Sequence, residues 1–228
     1  MELNVSVKKK LRTFDLEVSF SCRDGQLLAL VGPSGSGKTT IIRIIAGLEK
    51  PDAGTITYNG ETWVDTERGI FSPPQKRRLS YVFQEYTLFP NLSVYKNVGF
   101  AAPGKDRVDG LLKLFGIWHL RDCKPNKISG GERQRCAICQ ALARKPQVLL
   151  LDEPFSALDV VTRENLRDKL KSLKKELTLP IVHVTHNINE ALFLADDILP
   201  VVHGKIEWEW LEQSISKGVS NDQDPGGK

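Results

Sequence analysis

Two short runs carry the residue types that phosphate chemistry needs. GPSGSGKTT, Gly32 to Thr40, follows the apolar run LLALV and precedes TIIRIIAGL, and LLLDEP ends a second apolar run in Asp152 and Glu153. Gly32, Gly37, Lys38 and Thr39 satisfy the spacing GxxxxGK[ST] in the strand-to-helix context that a phosphate-binding loop (P-loop) requires. Backbone N–H groups of the turn, spanning Gly32, Pro33, Ser34, Gly35, Ser36 and Gly37, and of the helix start at Lys38, Thr39 and Thr40, would wrap the phosphates. Lys38 then reaches the β and γ oxygens and Thr39 holds Mg²⁺. A glycine turn with no ligand would leave the lysine without a purpose.

The acids suit the other half of such a reaction. Asp152 stands at the C-terminal edge of VLLLD, the side on which open α/β sheets bind ligands, where it can coordinate Mg²⁺ directly or through water. Glu153 is then free to act as a base. A base must lie within about 3 Å of the water it activates, and contributes about 10²- to 10⁴-fold in rate. Alone, an acidic pair is equally well explained as a solvated strand end; the phosphate-binding loop makes it an active-site candidate.

A third run, KISGGERQR from Lys127 to Arg135, pairs Ser129 with Glu132 in the capping-box pattern of a helix start. Gly130 and Gly131 are not needed for that, and each costs up to about 1 kcal/mol relative to alanine inside a helix. Glycine does leave the backbone of a helix N-terminus open to the close approach of an anion.

Alternating β and α elements must position these runs. LLALVG (Leu27 to Gly32), LSYVF (Leu79 to Phe83), VLLLD (Val148 to Asp152), IVHVT (Ile181 to Thr185) and ILPVV (Ile198 to Val202) are continuously apolar, which predicts strands buried on both faces of a mostly parallel sheet. FDLEVSF and GTITYNG instead alternate, and predict a flanking antiparallel layer. Between Val160 and Leu177, Leu166, Leu170, Leu173 and Leu177 share one face of a helix whose other face is charged. From about residue 86 to 145 strand signals give way to helical runs such as VDGLLKLFGIWHL, interrupted by Pro90, Pro103 and Pro125, which predicts an inserted helical subdomain. The fold class is therefore α/β, one domain over residues 1–212, with a polar tail over 213–228 expected to be disordered. Trp208 and Trp210 in IEWEW read as strand or edge packing.

Composition sets the remaining limits. The chain has 228 residues, 40% hydrophobic and 26% charged, enough for a substantial core. No apolar run approaches the roughly 20 residues that cross a bilayer, and MELNVSVKKK lacks a secretory apolar region, so a cytoplasmic protein is expected. A net charge of +4, with basic clusters only at VKKKLR and QKRR, gives no strong support for nucleic-acid binding. Cys136 and Cys139 lack a second pair of metal ligands and fall on a helical run facing Ala143, so they read as core residues. His183, inside IVHVT, likewise reads as a satisfied core histidine.

GPSGSGKTT, YVFQEYTLFP, ISGGERQR, LLLDEPFSALD and VTHNINEA, in this order between Leu27 and Ala195, resemble the motif series of the ATP-binding cassette (ABC) ATPases. The resemblance implies a P-loop NTPase core, ATP and Mg²⁺ as ligands, and a homodimer closed around two ATP molecules. It implies that Gln84 senses Mg²⁺ and the γ-phosphate, that His186 contacts the γ-phosphate, and that Asp159 lies at the dimer contact. Ser129, Gly130 and Gly131 would then meet the γ-phosphate held by the partner's P-loop. Without the resemblance, Gln84 and His186 read as satisfied polar residues at strand ends, and Asp159 as the N-cap of the Val160 helix. Two departures are mild, Ile128 and Glu132 replacing the family's usual leucine and glutamine. The aromatic that stacks on adenine is displaced to Phe14 or is absent; Phe14 alternates with Leu16, Val18 and Phe20, which suits core packing equally.

EYTLFPNLSVYKNVGF further resembles the importer group that takes up oxyanions, iron, polyamines and sugars, most closely its molybdate or tungstate branch. This implies two transmembrane permease subunits as partners, a solute-binding protein acting indirectly, and a place on the cytoplasmic face of the membrane. Many members carry a C-terminal regulatory β domain of roughly a hundred residues, and the chain stops before one would fit. A soluble cassette of DNA repair or translation is the alternative; such proteins normally show two cassettes or a long heptad insertion, and neither is present. Gly131→Asp is expected to leave ATP binding to the monomer intact while abolishing dimer-dependent hydrolysis, as read by nucleotide titration beside ATPase turnover.

Overall fold

The computed structural model describes residues 1–85, 87–156 and 158–221, with side chains as far as residue 216. Strands β1 (Glu2–Lys10), β2 (Asp15–Arg23), β4 (Ala53–Tyr58), β5 (Glu61–Asp65) and β6 (Ile70–Phe71) form an antiparallel sheet in the order β2-β1-β4-β5-β6. Strands β3 (Leu27–Val31), β7 (Leu79–Val82), β8 (Val148–Asp152), β9 (Ile181–Thr185) and β10 (Asp197–Val202) run parallel, and β11 (Lys205–Ile206) closes one edge antiparallel, in the order β11-β10-β3-β9-β8-β7.

The two hydrophobicity patterns have one cause. Along the parallel strands successive residues enter different cores: Leu27, Ala29, Val31, Leu149 and Leu151 join the core on the helical side, while Leu28, Leu30, Val148 and Leu150 join the other. Both faces being covered, no polar alternation is possible. In β1 and β2 Leu3, Val5, Val7, Leu16, Val18 and Cys22 turn inward with Phe20 partly buried beside them, and the opposite face meets solvent.

Helix α1 (Lys38–Ala46) lies in the second core, with Ile41, Ile42, Ile44 and Ile45 fully buried. Its C-terminus is closed by a residue that its basic neighbours disguise. Arg77, in QKRR, is 2% exposed and donates from Nη1 to the carbonyls of Ile44 (2.8 Å) and Ile45 (2.6 Å) and from Nε to that of Ser72 (2.9 Å). Its guanidinium lies 5.7 Å from the ring centroid of Trp63 and 5.3 Å from that of Phe71, so one side chain ties the helix end to the antiparallel sheet. A cation among the last carbonyls is where the helix dipole favours positive charge. Burial nevertheless pulls its pKa down to about 10.

Between β7 and β8 lie α2 (Val94–Gly99), α3 (Lys105–Leu114) and α4 (Gly130–Ala143), the expected helical insertion. The run VDGLLKLFGIWHL is not one helix: Gly116, at φ +67°, ends α3, and a short 3-10 turn follows at Trp118–Leu120. Helix α5 (Val160–Lys174) buries Leu166, Leu170 and Leu173 as its spacing predicts. Helix α6 (Ile188–Leu194) precedes β10.

At the C-terminal end Trp208 and Trp210 are on a helix and not a strand, with Trp210 keeping the expected packing against the cassette, and residues 213–221 are not a disordered tail: α7 (Trp208–Asn221) is a continuous helix. Leu211 and Ile215, four apart, set its face against the helical-side core, and Trp210 packs beside them while Trp208 is 52% exposed. The polar residues between those anchors mask the period. Residues 222–228 of the expected tail lie outside the described residues. No helix among the described residues is long and apolar enough to cross a membrane.

Arg77→Met removes the donor to the Ile45 carbonyl at the end of α1, while Ile44 keeps the Gly47 N–H, and is expected to lower the unfolding free energy by on the order of 1–3 kcal/mol. Arg77→Lys should recover little of this, because an ammonium lacks the planar fork; urea midpoints of the three proteins check both.

Candidate functional site

The C-terminal ends of β3, β8 and β9 converge on one cavity of about 460 Å³. Its floor is the turn between β3 and α1. Gly32 has φ +155°, and a Cβ there would stand 2.0 Å from the Val201 carbonyl oxygen, so strand β10 excludes any side chain. Gly37, at φ +102°, is the N-cap of α1, and a Cβ there would meet Leu16 Cδ1 at 2.9 Å.

Lys38 is 5% exposed, with Nζ donating to the carbonyls of Gly32 (2.8 Å) and Pro33 (2.7 Å) and to Ser36 Oγ (3.3 Å). Burial lowers its pKa below that of an ordinary lysine, against the opposing pull of the Glu153 and Asp152 carboxylates. Ser34, Gly35, Ser36, Gly37, Lys38, Thr39 and Thr40 line the cavity wall.

Asp152 ends β8 at 3% exposure. Thr39 Oγ1 donates to its Oδ1 (3.1 Å) and Tyr81 Oη to its Oδ2 (2.7 Å). Burial pushes the carboxyl up from its usual range, and the two hydroxyls counteract it. Sequence patterning does not single out Tyr81, which sits mid-strand in LSYVF. Its alignment with Leu150 on β8 brings it to the acid, and burial raises its own pKa.

Glu153 has φ +44°, a region that costs a non-glycine residue energy and recurs at functional sites. Its N–H donates to the Val184 carbonyl at 2.9 Å, bending the chain off β8 toward β9. Its Oε2 lies 3.1 Å from His186 Nδ1, which follows the end of β9. Gln84, two residues beyond β7, lines the same cavity.

Phe14 immediately precedes β2 and lines the cavity with Leu11 and Thr13, half-buried and edge-on to His203 at 6.0 Å between centroids. The core packing that its alternation also allows is met by Leu16 and Val18; Phe14 itself lines the cavity.

Ser129, Gly130, Gly131 and Asp159 are not among the residues lining this cavity. Ser129 caps α4: its Oγ accepts from the Glu132 N–H at 3.3 Å, and its N–H donates to Glu132 Oε2 at 2.7 Å. Asp159 caps α5 by accepting from the Thr162 N–H at 3.0 Å. The two segments adjoin, because a Cβ on Gly131 would stand 2.8 Å from Thr162 Cγ2. Gly131 therefore has a reason inside its own chain to be glycine, besides any ligand.

Cys136 and Cys139 are fully buried on α4, and burial pushes Cys136 up to about 12 and Cys139 well above the usual thiol range. Among the described residues no cluster of three His, Cys, Asp or Glu side chains could hold a metal. The oxygens of Thr39 and Asp152, with Gln84 lining the same cavity as Thr39, are the hard donors that Mg²⁺ takes, one or two from protein and the remainder from phosphates and water.

A family model described as ABC transporter matches residues 16–156. A molybdenum import ATP-binding protein, ModC, of Methylococcus capsulatus is 44% identical over 85% of this chain and 55% of its own length. A probable sulfate/thiosulfate import ATP-binding protein, CysA, of Chlorella vulgaris is 42% identical over 95% of this chain and 93% of its own. Among solved structures, the dimeric ATP-binding cassette MJ0796 in a post-hydrolysis state with ADP and Pi superposes at a TM-score of 0.74, with 31% identity over 91% of this chain and 97% of that one. The chain spans somewhat over half the length of several of the relatives it matches, 55% to 60% for the ModC proteins. With the P-loop floor, the Thr39–Asp152 contact and the Glu153–His186 pair in place, the match over residues 16–156 makes this chain a member of the ABC transporter family of ATP-binding cassettes.

Proposed function

We propose that the chain binds and hydrolyses ATP with Mg²⁺, as the ATP-binding subunit of an importer. The observation that carries this is the convergence in one cavity of a phosphate cradle and a carboxylate–histidine pair. The N–H groups at the start of α1 and Lys38 hold the β- and γ-phosphates, and Phe14 offers adenine an aromatic face in the cavity. Thr39, Asp152 and Gln84 would hold Mg²⁺, which when bound would supply positive charge to offset that developing on the phosphoryl group. Glu153 accepts the proton of the attacking water and His186 contacts the γ-phosphate.

Ser129, Gly130, Gly131 and Asp159 have no nucleotide of their own, which supports a homodimer in which each protomer completes the partner's site. The dimeric state of MJ0796 in its ADP- and Pi-bound form is consistent with this. A groove of about 480 Å³ beside β7 and α4, bordered by Phe89, Phe100, Gln140 and Arg144, supports contact with permease subunits. Phe89 and Phe100 are 40% and 65% exposed with ring centroids 4.6 Å apart, an apolar pair that a partner helix would cover. Such a contact places the protein peripherally on the cytoplasmic face of the membrane, with a solute-binding protein meeting only the permease.

The solute is proposed from kinship alone, since no residue of an ATP-binding subunit touches it. Relatives named for molybdenum and for sulfate or thiosulfate import favour a tetrahedral oxyanion, molybdate or tungstate first. Iron, polyamine or sugar import is the alternative, and a cassette acting outside transport is less well supported by those names. Association with ribosomes or DNA in place of transmembrane subunits on purification would overturn the transport reading.

Glu153→Gln removes the base and keeps the size of the side chain. It is expected to slow ATP turnover by at least about 100-fold and to accumulate an ATP-bound dimer, seen by light scattering with Mg²⁺ and ATP. A variant that stays monomeric under those conditions would count against the dimer.

A further inference from the structure

Directly behind His186 lies a buried polar pair to which the reaction described above assigns no part. His183 stands on β9 three residues before His186, is 0% exposed, and packs edge-on to Phe155 with centroids 5.8 Å apart. Its Nε2 lies 2.8 Å from Oε1 of Glu190, itself 4% exposed in the first turn of α6. The carboxylate is the acceptor, so Nε2 carries the proton. Burial alone would push the Glu190 carboxyl up, but hydrogen bonds from His183 and Thr185, with the charge of Arg167, hold it below the usual range.

The neighbouring bonds close a loop. Thr185 Oγ1 accepts from the Asn187 N–H at 3.0 Å, and Asn187 Oδ1 accepts from the Glu190 N–H at 3.1 Å. His183, Thr185 and Glu190 thus brace the turn from β9 into α6 from beneath, with His186 at its apex. Glu190 also lines a cavity of about 40 Å³ with Glu153, Phe155, Thr185, His186 and Asn187, so the brace borders the reacting pair directly.

As a stabilising device the pair is poor. Taking a carboxylate out of water costs several kcal/mol before any contact offsets it, and pairs replaced by well-packed apolar residues are often no less stable. Ile181, two residues earlier on the same face of β9, shows that this face accepts a plain apolar residue. His183 Nδ1 is moreover buried without a partner, so the network is not even complete. What a rigid, directional pair supplies is orientation of the backbone it joins.

We propose that His183 and Glu190 are positioning residues that fix the turn carrying His186 and so hold its imidazole against Glu153 and the γ-phosphate. This rests on the role given to His186 above. His183 and Glu190 touch neither nucleotide nor metal in this account, and act only through His186.

The test is a double-mutant cycle on the steady-state ATPase of the full chain, with His186→Ala, Glu190→Ala and both together. Glu190→Ala is expected to lower kcat at least about tenfold while leaving KM for ATP within about twofold, because the P-loop is untouched. Glu190→Gln, which keeps an acceptor oxygen for His183, should restore most of kcat. On the His186→Ala background Glu190→Ala should cost nothing further. Losses that multiply, or a Glu190→Ala enzyme with wild-type kcat, would overturn the proposal. Should Glu190→Ala not fold, His183→Leu takes its place with the same expectations, since it fills the core and removes the donor. A wild-type rate for His186→Ala alone would instead overturn the role of His186, a failure separable from that of the brace.

Discussion

Helix α1 buries Ile41, Ile42, Ile44 and Ile45 in the core it shares with the antiparallel and parallel sheets, leaving Arg43 exposed, and the site depends on this confinement. A helix N-terminus attracts anions only if its N–H groups are held in place and free of other partners. Gly37 opens the start of α1 toward the cavity, and Arg77 secures the far end by filling the last carbonyls. The axis cannot tilt without breaking the Arg77 contacts or opening the isoleucine core. The N-terminal end of the helix is thereby held by groups at its opposite end, contributed by the segment leading into β7.

The acids are placed by a second constraint, the parallel alignment of β7, β8 and β9. It brings Tyr81, Asp152 and the His186 turn to one edge, and the Glu153 N–H to the Val184 carbonyl. That bond coincides with the positive φ of Glu153, so the carboxylate is turned toward His186 at the cost of local strain. A flexible strand end would leave the two side chains in many relative positions. Here the backbone supplies one.

Much of this was legible in the sequence because both the motifs and the strands are local signals. Continuous apolar runs mark β3, β8 and β9 since alternate residues feed separate cores, and GPSGSGKTT carries its own geometry in three glycines. What was not legible depends on contacts distant in sequence. Arg77 reads as one of several surface cations until α1 and Trp63 are seen around it. Tyr81 reads as a strand residue until β8 is beside it, and His183 as a lone polar residue until α6 returns Glu190. Helix α7 was missed for a different reason, its apolar anchors being too sparse among polar residues to show a period.

The proposed function requires the nucleotide to be gripped by its terminal phosphates at the N-terminus of α1, beside Lys38, with the base contributing little. Equilibrium titration of the protein with ATP, ADP and AMP in the presence of Mg²⁺ tests that claim most directly. ATP and ADP should bind within about tenfold of each other and AMP at least about 100-fold more weakly, since it lacks the β-phosphate that the loop encloses. Equal affinity for all three would place the grip on the nucleoside, and would contradict the assignment of the cavity.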